Sequence, residues 1–425
     1  MQAGIKSSAS QDGGRQMKVV ADLHLHSKYS RATSEGMGLE NLADWAKIKG
    51  IDLLGSGDFT HPKWLDEIES KAICLDCGFL QYKDTKFCLS AEVSCVYEQQ
   101  AKMRKVHLVL LCPSIEVARQ INEALAKYGN LPADGRPTLL LSAVELCEIV
   151  FEISQKNLII PAHAWTPWFS VFGSKSGFDS LKECFAEYEN KIYAIETGLS
   201  SDPAMNWRLS QLDRVQLLSN SDSHSPDKIG REANVFDLDR LTYDELYEAI
   251  CFKEKRKLAC TYEFYPEEGK YHFDGHRSCQ ISFAPQETKK HGGICPVCRK
   301  PLTIGVLNRV EELADRPEGF VPKNAVPFEN LVPLKEILAQ AMGKNLSSKS
   351  VEAEYFRLIK AFGNELAVLH APHKTLERHA GKRLAEGIQR VQEGRVKKIA
   401  GFDGQYGQII IFPQKAETQT RLEEF

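Results

Sequence analysis

Seven short apolar runs alternate with helical patterns over roughly the first 255 residues, and this alternation constrains the fold more than any other feature. The runs are Val19–Leu25, Ile51–Ser56, Phe87–Val93, Val106–Leu111, Leu158–Ala162, Ile192–Ile195 and Val215–Leu218. The helical patterns between them include Leu39–Lys49, Ile115–Tyr128, Ala143–Gln155 and Phe178–Glu189. Strands that alternate with helices pair in parallel, and buried parallel strands are continuously apolar. The pattern therefore predicts an α/β fold with seven parallel strands, which a closed β/α barrel accommodates better than an open sheet.

Histidines and carboxylates lie in or directly after these runs, where a barrel has its active site. The candidate catalytic and metal-binding residues are His24, His26, Asp58, Glu92, His107, His163, Asp222 and His224. His24 and His26 face the same side of a strand because side chains alternate. Taken alone, His107 is better explained as a core histidine. The whole set nevertheless predicts a divalent-metal site, because imidazole and carboxylate groups are ligands of zinc, manganese, iron and magnesium.

These residues resemble the motifs of the polymerase and histidinol phosphatase (PHP) family. The matching features are Asp22–His26, Gly57–Asp58, Glu92, His107, His163 and Asp222-Ser223-His224. The resemblance implies a distorted (β/α)7 barrel, two or three divalent ions (Zn, Mn or Mg) and phosphoester hydrolysis by a metal-activated water. Phe59 and Ala32 stand where members have histidines, which leaves the third ion open. His61 could replace the missing histidine.

After Leu258 the composition changes, and two close pairs of metal-ligand residues appear. The pairs are His276-x2-Cys279 and Cys295-x2-Cys298. This is the spacing of a structural zinc site, in which four ligands leave no open position. His272 or Asp274 could replace His276 as the fourth ligand, and the sequence leaves that choice open.

Three segments carry features of a nucleic-acid surface. Residues 373–398 contain eight basic and three acidic side chains, which form either a solvated face or a phosphate-binding surface. The glycine-rich segment Gly401–Gly407 is either a hairpin turn or a loop that approaches a base. The aromatic residues after His163 either pack into the core or contact DNA. The candidate DNA-binding residues are Trp165, Trp168, Lys175, Lys382, Arg383, Arg390, Phe402, Asp403 and Tyr406.

The bulk composition limits these interpretations. A chain of 425 residues predicts two or three domains. The predicted boundaries are a disordered leader over residues 1–16, a phosphoesterase barrel over 17–255, a zinc-finger module over 256–345 and a C-terminal α+β domain for DNA binding and base recognition over 346–425. The net charge of −3 means that any nucleic-acid surface is local. The chain lacks an apolar stretch near 20 residues and a signal peptide, so we expect a cytoplasmic, nucleoid-associated protein without a membrane partner.

The order of these features resembles the endonuclease Q family from Met17 to about Pro413. Further matching stretches are His163–Trp168, Lys300–Val306 and Asn308–Arg316. The resemblance implies a monomeric DNA repair endonuclease that cuts duplex DNA on the 5′ side of uracil, hypoxanthine, xanthine or an abasic site. A replication clamp is a conceivable partner, but no motif in the chain points to it.

Two other interpretations stay open at this point. One is a PHP-type phosphatase or exonuclease that acts on DNA ends or small phosphomonoesters. The other is a zinc-finger DNA-binding protein with an inactive barrel. The complete set of eight candidate ligands argues against the inactive barrel, because loss of catalysis would be expected to have removed some of them.

Overall fold

A computed structural model describes residues 16–413. The predicted disordered leader, apart from Gln16, lies outside the described residues. The strands are β1 (Met17–Asp22), β2 (Leu53–Gly55), β3 (Ile73–Cys74), β4 (Leu80–Tyr82), β5 (Thr85–Gln99), β6 (Lys102–Cys112), β7 (Thr138–Leu139), β8 (Leu158–Pro161), β9 (Ala194–Glu196), β10 (Gln216–Leu218), β11 (Ala233–Leu238), β12 (Leu258–Phe264), β13 (Asp274–His276), β14 (Ile281–Phe283), β15 (Phe328–Leu331), β16 (Lys397–Ile399) and β17 (Gln408–Ile410).

The helices pack mainly on the outside of the sheet and in the C-terminal part. They are α1 (Leu39–Lys49), α2 (Pro62–Lys71), α3 (Ile115–Leu125), α4 (Ala143–Ile153), α5 (Leu181–Phe185), α6 (Pro203–Asn206), α7 (Tyr243–Cys251), α8 (Pro285–Lys290), α9 (Val306–Leu313), α10 (Leu334–Met342), α11 (Lys349–Phe362), α12 (Glu365–Leu369), α13 (His373–Ala380) and α14 (Lys382–Gln392). No helix among the described residues is long and apolar enough to span a membrane.

Each of the seven predicted apolar runs forms a strand, and these strands follow one another around a ring. The ladders β1–β2, β2–β5, β5–β6, β6–β8 and β9–β10 are paired by backbone hydrogen bonds. Between β8 and β9 the Ala164 amide donates to the carbonyl of Glu196, 3.1 Å away. Between β10 and β1 the His26 amide donates to the carbonyl of Ser223, 2.9 Å away. The ends of the strands therefore surround one interior.

The prediction that all seven strands are parallel is wrong for β6. β5 and β6 pair antiparallel along their whole length, and β6 also pairs antiparallel with β8. The reason is the two-residue turn at Gln100 and Ala101, whose φ angles of 53° and 56° are those of a tight hairpin turn. Parallel pairing would instead need a crossover of a dozen residues or more.

The sheet continues beyond the ring, past the predicted domain boundary at residue 256. β11 pairs antiparallel with β1, β12 pairs antiparallel with β11, and β15 pairs parallel with β12. Two strands expected in the zinc-finger module thus extend the main sheet. Residues 271–313 form a separate small unit, which contains the β13–β14 hairpin, α8 and α9.

The C-terminal part has its own apolar core, built from α10 to α14 and β17. Its members include Leu334, Tyr355, Leu358, Ile388 and Ile411. α10 belongs to this core, although the predicted boundaries place it in the zinc-finger module. The basic run over residues 373–398 forms α13 and α14, which are separated at Gly381 with its φ of 80°, and ends in β16.

Candidate metal centre and adjoining cavity

The candidate ligands come from different strands and meet inside the ring. Three of the eight residues, Asp58, His163 and Asp222, have positive φ angles of 47°, 30° and 46°. Non-glycine residues adopt this conformation at a cost, and they concentrate at functional sites. Because these three residues follow β2, β8 and β10, the strained turns direct their side chains into the ring rather than onward along the strand.

The structure brings six of the eight residues into two groups that share Glu92. One group contains His24, His26, Glu92 and Asp222, and the other contains Glu92, His107 and His163, with ligand atoms within 4.8 Å of one another in each group. Glu92 Oε1 lies 2.8 Å from His107 Nδ1 and 3.1 Å from His163 Nε2. Its other oxygen, Oε2, lies 3.2 Å from His26 Nε2 and 3.7 Å from His24 Nε2. One carboxylate thus faces both groups.

Unpartnered buried atoms test whether metal ions fit these groups. His24 Nε2, His26 Nε2 and Asp222 Oδ1 are buried without a hydrogen-bond partner among the described residues. Asp222 Oδ1 lies 3.7 Å from the first nitrogen and 3.2 Å from the second. Buried polar atoms normally have partners, and imidazole with carboxylate is a donor set for divalent transition metals. The residues therefore fit divalent ions.

Glu196 supports this centre, and the sequence analysis missed it. Its two oxygens lie 3.0 Å from His24 Nδ1, and it also accepts hydrogen bonds from the His163 amide and the Asn220 side chain. A carboxylate on the outer nitrogen of a histidine fixes the orientation of the ring. The sequence does carry a signal for it, because Glu196 directly follows the apolar run Ile192–Ile195.

Two of the predicted ligands lie outside both groups. Asp58 Oδ1 contacts His26 Nδ1 at 3.0 Å, and Asp58 Oδ2 accepts from the Ser27 amide at 2.6 Å. Burial alone would raise the pKa of Asp58, but His26 and the donors of Ser27 hold it below its usual value. Asp58 therefore orients His26 instead of joining a ligand group. His224 lies with its ring centroid 4.4 Å from that of His26, and its Nδ1 is 3.0 Å from the carbonyl oxygen of Asp222.

Neither Asp22 nor His61 faces the centre. Asp22 accepts hydrogen bonds from the backbone amides of Ser221 and Gly230, and so ties β1 to the segment after β10. His61 Nε2 lies 3.2 Å from the carbonyl oxygen of Pro132. His61 belongs to neither group of candidate ligands, and its Nδ1 is buried without a hydrogen-bond partner among the described residues.

A cavity of about 550 Å³ opens directly onto the centre. His163, Asp222 and His224 contribute to its wall on the side of the ring, and Tyr271 and Tyr406 contribute on the other side. The cationic side chains of Lys228, Arg231 and Lys270 also line the cavity, together with the carboxylate of Glu196. The cavity is therefore shared by the ring, the segment after β12 and the β16–β17 hairpin.

The predicted aromatic contacts separate into core and surface residues. Trp165 is buried, and its indole N–H donates to Asn206 Oδ1 at 2.8 Å, so the prediction that it contacts DNA is wrong. Trp168 is 40% exposed and packs edge-on against Tyr271, with centroids 5.5 Å apart. Tyr406 is 68% exposed at the cavity. Lys175 is also exposed.

Phe402 and Asp403 hold the hairpin turn in place. Phe402 pairs with Phe273, and a side chain at Gly275 would collide with its ring. Asp403 accepts hydrogen bonds from the Arg277 amide at 2.6 Å and from Thr303 Oγ1 at 2.7 Å. Both residues therefore fix the loop on the neighbouring module, which differs from their predicted contact with DNA.

Two of the predicted basic contacts on α14 share one acidic partner, Glu386. Arg390 Nε lies 2.8 Å from Glu386 Oε1, and Arg383 lies 3.9 Å from Glu386 Oε2. The guanidinium of Arg383 also stacks 3.5 Å from the ring centroid of Phe412. Among the three predicted contacts of α14, Lys382 alone is exposed without an ion pair to another described residue.

The second predicted metal site forms a four-residue group of His276, Cys279, Cys295 and Cys298. His276 Nδ1 lies 3.6 Å from Cys298 Sγ. The alternative ligands lie elsewhere: Asp274 accepts from the Gly305 amide at 2.6 Å, and His272 lines a separate cavity of about 440 Å³.

Comparisons with known proteins agree with this arrangement. A family model described as the MJ0043 C-terminal domain matches residues 333–395. The uncharacterized protein YqxK of Bacillus subtilis is 31% identical over 413 residues, covering 92% of this chain and 99% of YqxK. The uncharacterized protein MJ0043 of Methanocaldococcus jannaschii is 34% identical over 265 residues, which cover 60% of this chain. This match spans about a third (32%) of MJ0043.

Two solved structures are similar over nearly the whole chain. The lesion-specific endonuclease PfuEndoQ from Pyrococcus furiosus is 33% identical, with a TM-score of 0.84 and coverage of 96% of this chain and all of PfuEndoQ. A complex of endonuclease Q with a 27-mer duplex substrate that has an abasic lesion at the active site is also 33% identical, with a TM-score of 0.83 and coverage of 94% and 99%.

The fold and the metal centre define a metal-dependent endonuclease. The chain belongs to the endonuclease Q family. The predicted family and enzyme class are thereby confirmed, and the interpretation as an inactive barrel is not supported.

Proposed function

We propose that this protein is a DNA repair endonuclease that hydrolyses the phosphodiester bond 5′ to a deaminated base (uracil, hypoxanthine or xanthine) or an abasic site. The observation that carries the proposal is the cavity of about 550 Å³ beside the metal centre. A site that cuts next to a lesion must hold a phosphate at the metals and an extruded nucleoside at the same time. The complex with an abasic duplex supports the same substrate class.

The metal centre would supply the hydrolytic chemistry. Divalent ions held by the ligands of the two groups would lower the pKa of a bound water and neutralise charge on phosphoryl oxygens. Within the protein, Glu196 and Asp58 fix the rings of His24 and His26. Arg136 donates to Glu92 Oε2 at 3.1 Å and so holds the shared carboxylate from outside the groups.

The aromatic side chains at the cavity would receive the extruded base. Tyr271 and Tyr406 line it, and Trp168 packs against Tyr271. Aromatic rings stack on bases of any sequence, which suits recognition of several lesions. A mispaired deaminated base leaves the duplex at a lower cost than a paired one, so extrusion itself selects the lesion. An abasic nucleotide needs no base contact at all.

The remaining parts of the proposal concern the architecture. The ring of seven strands is assigned to a PHP-type barrel, and His276, Cys279, Cys295 and Cys298 are assigned to one structural zinc ion. The domain boundaries are proposed as residues 17–255, 256–345 and 346–425. Across them, β12 and β15 pair into the main sheet and α10 packs in the C-terminal core. The protein is proposed to act as a monomer on duplex DNA.

One experiment separates this function from its alternative. Duplexes labelled at the 5′ end of the damaged strand, each with a single uracil, hypoxanthine or abasic site, are incubated with the protein and Mn²⁺ or Mg²⁺. We expect a single nick directly 5′ to the lesion and no cut in the undamaged duplex. Trimming from the ends, or phosphate release from small monoesters alone, would identify a PHP-type exonuclease or phosphatase instead.

A further inference from the structure

A buried ion pair joins the end of α1 to the start of α12. Lys49 Nζ lies 2.6 Å from Glu365 Oε2, and both side chains are buried. Burying two charges is costly because each ion loses its water, and the cost is offset only where the geometry is good and further hydrogen bonds complete the pair. Neither residue belongs to the two ligand groups or lines the cavity beside them. The pair therefore has a role outside the metal centre.

The Glu365 carboxylate caps the helix that follows β15. Its Oε1 accepts a hydrogen bond from the Leu334 amide at 2.9 Å, and its Oε2 accepts another from the Tyr355 hydroxyl at 2.6 Å. Leu334 is the first residue of α10, and Pro333 before it provides no side-chain cap. Burial alone would raise the pKa of Glu365, but Lys49 and these donors hold it below its usual value. A carboxylate at this position satisfies a free amide and interacts favourably with the helix dipole, so Glu365 fixes the point at which α10 begins.

The chain segments on either side of the ion pair are tightly packed. A Cβ at Gly50, whose φ is 89°, would lie 2.7 Å from Asn364 Oδ1. Asn364 in turn caps α12, because its Oδ1 accepts from the Ala367 amide at 2.7 Å. Glycine suits a position that combines a left-handed φ with so close a neighbour. The barrel therefore holds α12, and with it Glu365, in one place.

α10 extends from this junction to the hairpin at the cavity. Gln340 lies near the end of α10, where its Nε2 donates to the carbonyl of Ile409 at 2.8 Å and its Oε1 accepts from the Ile411 amide at 2.9 Å. Ile409 belongs to β17, which pairs with β16. The turn between these two strands carries Tyr406, which lines the cavity. The position of α10 therefore affects the position of Tyr406.

Two further contacts connect α10 and the hairpin with the cavity wall. Glu336 Oε1, on the first turn of α10, lies 3.7 Å from Nζ of Lys228, which lines the cavity. The amide of Gly407, the residue after Tyr406, donates to the carbonyl of Glu268 at 3.1 Å. A shift of α10 would therefore displace residues on two sides of the cavity.

We propose that Glu365 is a positioning residue for lesion recognition: paired with Lys49, it fixes α10 and so holds Tyr406 where an extruded base is received. The inference rests on the proposed function, because the extruded base is the group on which Tyr406 would stack. Glu365 lies outside the metal centre, so it acts on the affinity for the lesion and not on the chemical step. Contacts that lie between two residues do not by themselves establish coupling, so the test is a cycle of variants.

The test compares two double variants that differ only at residue 365. Lys49→Met/Glu365→Leu replaces the ion pair by apolar side chains of similar size and leaves no charge buried without a partner. Lys49→Met/Glu365→Gln also removes both charges, but it keeps a side-chain oxygen for the Leu334 amide and is the matched control. Binding of a fluorescent uracil duplex is measured by anisotropy, both in the parent protein and in the Tyr406→Ala background.

We expect Lys49→Met/Glu365→Leu to weaken binding of the uracil duplex by at least about 5-fold, the lower end of the effect of losing one base–aromatic stack. In the Tyr406→Ala background the same changes should cause no further loss, because the ring that they displace is absent. The matched control should bind like the parent protein, and all variants should bind an undamaged duplex equally. In single-turnover nicking, the loss should appear in the protein concentration that gives half the maximal rate and not in the maximal rate. Equal losses in both backgrounds, equal losses in the two double variants, or an equal loss for the undamaged duplex overturn the proposal.

Hydrogen exchange tests the same coupling without DNA. The amides of β17 should exchange faster in Lys49→Met/Glu365→Leu than in the matched control, while those of β5 and β6 exchange at the parental rate in both. Exchange in β17 that is equal in the two variants overturns the proposal, whatever the DNA measurements give. If the parent protein neither nicks a uracil duplex nor binds it more tightly than an undamaged one, the proposed function fails, and exchange in β17 still decides whether Glu365 positions the hairpin.

Discussion

Glu196 holds His24 from behind, with both carboxylate oxygens 3.0 Å from His24 Nδ1, so that Nε2 of the same ring is left for a metal. We expect Glu196→Ala to lower the affinity for the catalytic metal by about 10- to 100-fold, because the imidazole loses its orientation and part of its basicity. Nicking measured across a Mn²⁺ titration should recover at high metal concentration. Glu187→Ala, at an exposed position, is the control; an activity loss that no metal concentration restores would contradict this role.

Asp222 is the ligand whose loss should separate cleavage from binding. Its Oδ1 is buried and unpartnered, between His24 Nε2 and His26 Nε2. Asp222→Asn keeps the size of the side chain and removes the charge that a divalent ion needs. We expect nicking of a uracil duplex to fall by orders of magnitude, while the affinity for the duplex stays close to that of the parent. If the affinity for the duplex falls together with the nicking rate, Asp222 is needed for the structure of the cavity and not for cleavage alone.

The strands and most of the metal centre were predictable, since both depend on local patterns. Apolar runs mark buried strands, and polar residues at their ends mark the site. The antiparallel direction of β6 is not predictable in this way. The turn at Gln100 and Ala101 has no residue typical of a tight hairpin, and the ends of β5 and β6 next to it are partly polar. Asp58 shows a second limit. The sequence places a carboxylate near the centre, but the conformation of the turn after β2 decides whether this carboxylate is a metal ligand or a hydrogen-bond partner of His26 Nδ1.

Trp165 and Trp168 also show that the sequence does not decide whether an aromatic residue in a loop is buried or exposed. They are three residues apart in one loop, yet the first is buried and the second is 40% exposed. We expect Trp165→Ala to reduce the free energy of unfolding by about 3–5 kcal/mol through the cavity it leaves. Trp168→Ala should weaken binding of lesion-containing duplex with little change in stability. Chemical denaturation and anisotropy measure the two effects; similar stability losses in both variants would contradict the assignment.

Tyr406 is the exposed aromatic residue best placed to stack on an extruded base. It lines the cavity, and the ammonium of Lys270 lies 4.5 Å from its ring centroid. Loss of one base–aromatic stack costs about 1–3 kcal/mol, so Tyr406→Ala should weaken binding of a uracil duplex roughly 5- to 150-fold. Tyr406→Phe keeps the ring and should retain most of the affinity. Binding of an undamaged duplex should be the same in all three proteins, and an equal loss there would indicate a general contact with DNA.

Glu263 should make the stability of the protein depend on pH. This carboxyl group is fully buried on β12 and accepts hydrogen bonds from Thr261 and Thr197, and burial raises its pKa from 4.5 to about 8. A group whose pKa is higher in the folded state stabilises the fold fully below its unfolded pKa, and that contribution is lost as the pH rises through the folded pKa. The free energy of unfolding should therefore fall between about pH 4.5 and 8, by an amount on the order of 5 kcal/mol for this group. Glu263→Gln, which mimics the protonated form, should flatten this part of the profile, whereas Glu123→Gln at an exposed position should leave it unchanged. Denaturant unfolding at a series of pH values checks this, and an equally steep profile in the Glu263→Gln variant would show that Glu263 is ionised in the folded protein.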